Sequence, residues 1–84
     1  MTREEILAKL NVIFAEVFEV ENIEITEDTR PEDMEDWDSV ALVYLTVQIE
    51  DEFGIELGEE MADIDCVRDI VDIVMVKKDE SGIR

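Results

Sequence analysis

Apolar residues recur at helical spacing in three separate stretches of this chain, and that periodicity limits what it can fold into. Ile6, Leu7, Leu10, Ile13, Phe14, Val17 and Phe18 mark the first stretch. Leu42, Leu45, Ile49 and Phe53 mark the second. Val67, Ile70, Val71 and Val74, with Ile73 beside them, mark the third. The first predicts a helix over about 3–19, opened by the capping-box pair Thr2 and Glu5 and stopped near Asn22. The second predicts a helix over about 39–53, with Asp38 as N-cap and Gly54 closing it. A short helical turn is expected over about 58–62. Asp65 is read as the cap of a last helix over about 65–76. Lys77 and Lys78 then sit at its C-terminal end, where cations are favoured, and a tail over about 79–84 frays. The expected fold is all-α, a small bundle of three main helices plus one short helix. With 84 residues, the chain is one domain spanning 1–84.

Between the first two helices lies a long loop over about 20–38. Ile23 and Ile25 are its candidate core anchors. Thr29, Pro31 and the acids from Glu24 to Asp36 suit irregular backbone. A loop of that length in a compact domain is more often functional than filler. Its acids lack the glycine and terminal glutamate of a calcium-binding EF-hand loop, so no metal site is assigned, although so acidic a surface allows weak divalent-cation binding.

Charge excludes several functions. Seven basic residues against 25 acidic ones give a net charge of −18. Such a surface repels nucleic acid and anionic membranes and steers toward basic protein surfaces. There is no His, which removes a Ser-His-Asp hydrolase and the commonest metal ligand. The single Cys66 cannot form an internal disulfide. It is read as a small buried or half-buried residue. Charges interrupt the first segment, so no signal peptide is seen, and no apolar run would span a bilayer. A cytoplasmic monomer is the expectation. Met34, Met61 and Met75 read as core filler, with Met61 also able to line an acyl pocket. Trp37 reads as loop packing rather than as a partner contact.

Ser39 sits where the acidic loop meets a helix start. The first-turn N–H groups there favour an attached anion, and the hydroxyl should be exposed at the helix edge. Without His, and with no lysine near in sequence, this serine is better placed to be modified than to attack. The dipeptide Asp38-Ser39 alone is equally an ordinary cap. The second helix is apolar over more than one face in its first half, at Val40, Val43, Tyr44 and Val47. Its last turn, Glu50, Asp51 and Glu52, is acidic where the dipole disfavours acids. No local structural benefit explains that cluster.

The run Asp36-Trp37-Asp38-Ser39-Val40, with Val43, Leu45 and then Ile49-Glu50-Asp51-Glu52-Phe53-Gly54-Ile55, resembles the acyl carrier protein family over nearly the whole chain. The resemblance implies a 4′-phosphopantetheine arm on Ser39, placed there by a phosphopantetheinyl transferase, with Asp38 assisting. It implies a carrier that is not an enzyme. The arm's thiol holds an acyl group as a thioester for acyl-loading and acyl-processing enzymes. Glu50, Asp51 and Glu52 would dock on their basic patches. An aminoacyl or peptidyl carrier is the alternative within that chemistry, and an unmodified acidic helical adaptor the alternative outside it. Val40 stands where the family usually has Leu, and Glu35-Asp36 where it has Leu-Gly. Ala41 and Tyr44 stand where fatty-acid carriers are usually acidic. Trp37 before Asp38-Ser39 is similar to carriers outside basic fatty-acid synthesis, and the departures imply a dedicated partner with a more apolar interface at Val40, Val43, Tyr44 and Val47.

Overall fold

The computed structural model describes residues 2–21 and 23–82, with side chains through Lys78. Three α-helices carry the fold: α1 is Arg3–Phe18, α2 is Ser39–Phe53 and α3 is Val67–Gly82. Two 3₁₀ turns, Pro31–Asp33 and Glu59–Asp63, interrupt the connections. No strand occurs among the described residues.

The start of α1 follows from its capping box. Thr2 Oγ1 accepts from the Glu5 N–H at 3.1 Å, and Glu5 Oε1 accepts from the Thr2 N–H at 3.0 Å. Those bonds hold the Glu5 carboxyl below the usual carboxylate range. The helix ends at Phe18, one residue short of the expected range, because Glu19 takes a left-handed conformation. Asn22, the expected stop, lies outside the described residues.

Helix α2 begins and ends as its cap residues predict. Asp38 Oδ1 accepts from the Ala41 N–H at 2.9 Å. Gly54, at φ 64°, closes the helix. The buried stripe differs by one position from the sequence reading. Ala41, Leu45, Ile49 and Phe53 are buried, a strict four-residue repeat, while Leu42 packs on the core only in part. The small Ala41 side chain lets the start of α2 approach the bundle, which turns the larger Leu42 toward the edge.

Helix α3 starts two residues later than expected and runs longer. Asp65 is not its cap; the Asp65 N–H instead donates to Asp69 Oδ2 at 2.7 Å. Loop carbonyls take the capping role. The Val67 N–H donates to Thr29 O at 2.9 Å and the Arg68 N–H to Glu27 O at 2.8 Å. No Gly or Pro lies between Val67 and Gly82, so the backbone stays helical through residues 79–82 of the stretch expected to fray. Residues 83–84 of that expected tail lie outside the described residues. Lys77 and Lys78 therefore lie inside α3. Lys77 Nζ meets Glu60 at 2.8 Å, and Lys78 Nζ donates to Phe53 O at 3.2 Å, satisfying a carbonyl at the end of α2.

Helix α1 packs on both α2 and α3. Phe14, Ile6, Leu10, Leu45, Ile49, Met61, Ile70, Val67, Val71 and Val74 are the largest fully buried side chains. The long loop is tied down along its length. Asn11 accepts from the Ile25 N–H at 2.8 Å and donates to Ile25 O at 3.3 Å. Ile25 is buried, Ile23 half-buried. Arg3 pairs with Glu27, and Arg68 with Asp28 at 2.6 Å. Cys66 is half-buried, and Met34 and Met75 pack against the core.

Candidate functional site

The site forms at the joint between the loop and α2. Of residues 35–40 only Trp37 is buried; Ser39 and Asp38 are both exposed. Ser39 is the first residue of α2. At that position its N–H, and that of Val40, have no acceptor within the helix. The serine hydroxyl thus stands beside backbone donors at the positive end of a helix dipole, which suits a phosphodiester. Asp38 is held in place by its bond to Ala41, and its own carbonyl accepts from the Leu42 N–H at 2.9 Å.

One face of α2 leads away from Ser39. Val40, Val43, Tyr44 and Val47 are each between 55% and 61% exposed. They follow i, i+3, i+4, i+7 spacing and so form one continuous stripe. From Ser39 to Ile49 no residue is charged, in a chain whose surface is otherwise dominated by acids.

The acids at the end of α2 do not act alike. Glu50 is half-buried, and its Oε2 accepts from the Leu57 N–H at 2.7 Å, pinning the segment that follows Gly54. Glu52 pairs with Lys9 of α1 at 3.3 Å. Both acids therefore have a structural benefit, but not a local one: the contacts join residues 7 and 43 positions apart, beyond the reach of a local sequence pattern. Asp51 is exposed.

Behind the site, Trp37 packs into an aromatic group with two α1 side chains. Its ring lies edge-on to Phe14 with centroids 5.2 Å apart, and 6.4 Å from Phe18. Among the described residues no group of three or more acids or thiols is arranged to hold a metal ion. No described helix is long and apolar enough to cross a membrane.

The family model for the phosphopantetheine attachment site matches residues 8–74. The chain belongs to the acyl carrier protein family. It is 40% identical over 82 residues to an acyl carrier protein of Lactobacillus acidophilus, covering 98% of this chain and 100% of that one. It is 35% identical over 81 residues to a meromycolate extension acyl carrier protein of Mycolicibacterium smegmatis, covering 95% and 82%. Its fold matches the solution structure of a holo acyl carrier protein from Geobacter metallireducens with a TM-score of 0.84, at 29% identity, covering 93% and 91%. The crystal structure of an acyl carrier protein from Thermotoga maritima gives 0.81, at 29% identity, covering 93% and 92%. The carrier is thus not a catalyst. It bears a covalently attached 4′-phosphopantetheine and works with a phosphopantetheinyl transferase and acyl-processing enzymes. The acidic-adaptor reading does not account for these matches and is set aside.

Proposed function

We propose that Ser39 carries the arm and that the carrier serves a specialised acyl pathway through a partly apolar docking face. The observation that supports the site best is the exposed Ser39 opening α2 directly after the Asp38 cap. In the loading step the transferase presents coenzyme A. Ser39 Oγ attacks the phosphorus that bears the pantetheine. The Oγ–P bond forms and the P–O bond to the nucleotide breaks. Adenosine 3′,5′-bisphosphate leaves, and the hydroxyl proton passes to a base in the joint site. Asp38 assists from the neighbouring position, its carboxylate held in orientation by the Ala41 N–H. The arm's thiol then exchanges acyl groups as thioesters.

Docking is assigned to Val40, Val43, Tyr44 and Val47 together with the acids Glu50, Asp51 and Glu52, facing basic patches on partner enzymes. Asp51 is the acid best placed to meet such a patch, since Glu50 and Glu52 are engaged within the fold. Exposed charge gives fast, reversible contacts, and Tyr44 offers an aromatic anchor. The uncharged first half of α2 and the similarity to meromycolate extension carriers support a specialised pathway. The carrier is taken to act as a cytoplasmic monomer.

Intact mass after incubation with coenzyme A and a transferase of broad specificity tests the site. The native protein should gain one arm and Ser39→Ala none. An adduct that survives Ser39→Ala overturns the assignment.

A further inference from the structure

We infer that Trp37 is a positioning residue for the loading of Ser39, acting through an aromatic contact with Phe14 of α1. The inference rests on Ser39 being the loaded residue.

The serine is held between two anchors. On its C-terminal side α2 grips the core through Ala41 and Leu45. On its N-terminal side Glu35, Asp36 and Asp38 are all exposed, and Trp37 is the single buried residue of that approach. The backbone there is bonded only to near neighbours: the Trp37 N–H donates to Met34 O and the Asp38 N–H to Asp36 O, each at 3.1 Å. Such bonds shape a turn but do not fix it against the bundle. The indole does, at 8% exposure and edge-on to Phe14 at an interplanar angle of 80°. Phe14 is itself fully buried and only 5.8 Å from Phe18. A rigid ring packed on rigid rings holds the Asp38-Ser39 turn at a set height above α1.

A transferase that grips α2 must meet the hydroxyl at a set distance from the phosphorus. A displacement of about 1 Å at such a step costs up to about a hundredfold in rate. Trp37 shows a partner too little surface to be a contact, and Phe14 shows none. A rate effect at either therefore passes through the position of Ser39. Docking residues on α2 act on KM; this pair acts on kcat.

Loading rates for the full chain, followed by intact mass well below each variant's melting temperature, test this. Circular dichroism checks that each variant keeps its helices. Trp37→Ala should lower kcat for loading by about tenfold or more with KM within about threefold of native. Trp37→Phe, which keeps an aromatic ring on Phe14, should restore most of the rate. Phe14→Leu should also lower kcat, although Phe14 is fully buried and shows a partner no surface. A folded Trp37→Ala loaded at the native kcat overturns the inference. If Trp37→Ala does not fold, Phe14→Leu decides: a folded Phe14→Leu carrier with native kcat overturns it equally. Ser39→Ala in the same assay separates the two readings. An adduct on that variant removes the site assignment itself, whereas its absence with unchanged Trp37 and Phe14 variants removes only the positioning role.

Discussion

Glu19 pays a conformational penalty that no sequence pattern announces. It is the one non-glycine residue with positive φ among those described, at 55°. The left-handed backbone costs an L-residue about 1–2 kcal/mol. In return it closes α1: the Val20 N–H reaches Ala15 O at 3.0 Å and the Glu19 N–H reaches Glu16 O at 3.4 Å. A carboxylate there also meets the negative end of the helix dipole. Glu19→Gly removes the strain and the charge while keeping the turn. Its extra freedom in the unfolded chain offsets part of the gain. The expected net effect is a stabilisation of about 0.5–1 kcal/mol, read as a higher urea midpoint at unchanged slope. A lower midpoint would show that the Glu19 side chain contributes more than its backbone costs.

At the scale of elements, the loop between α1 and α2 owes its place to Glu27. That carboxylate bonds Arg3 of α1 and lies 3.8 Å from Arg68 of α3, so one residue joins loop and two helices. The Arg3 hydrogen bond is the main reason its carboxyl is held below the usual 4.5. A depressed folded value means that the stabilisation is present above the ordinary carboxylate range and is lost as pH falls through the folded value. Glu27→Gln should therefore melt below the native carrier at pH 7, and the gap should close as the pH drops well below 4.5. A gap that stays constant with pH would mean that packing, not charge, sets the difference. This junction also marks how far the sequence could be read. Helix α2 was legible at both ends because its caps, Asp38 and Gly54, are local features. The start of α3 was not, because its first N–H groups bond to Glu27 and Thr29, far away in the chain. The exposed serine and the apolar stripe on α2 were legible for the same local reason. The roles of Glu50 and Glu52 were not, since each depends on a contact across the fold.

For the whole molecule, the net charge of −18 competes with the pairs that hold the elements together. The bundle measures about 39 × 24 × 21 Å, with a radius of gyration of 12.1 Å. Its excess acids therefore lie within a few screening lengths of one another, the Debye length being about 10 Å at 0.1 M salt. The ion pairs that oppose this repulsion, Arg3–Asp72, Lys9–Glu52, Arg68–Asp28 and Lys77–Glu60, are all partly exposed. Exposed pairs contribute only about 0–1 kcal/mol each. Salt weakens both sides, but repulsion among many unpaired acids outnumbers the pairs, and unfolding spreads those charges apart. Raising NaCl from about 0.02 M to about 0.5 M, which shortens the screening length from roughly 20 Å to below 5 Å, should therefore raise the melting temperature. The rise should be smaller in a variant in which surface acids away from these pairs, Glu32 and Glu35, are replaced by Lys, because the two charge reversals reduce the acidic excess that salt screens. A native melting temperature that falls with salt would place the balance with the ion pairs and reverse this account of what limits the carrier's stability.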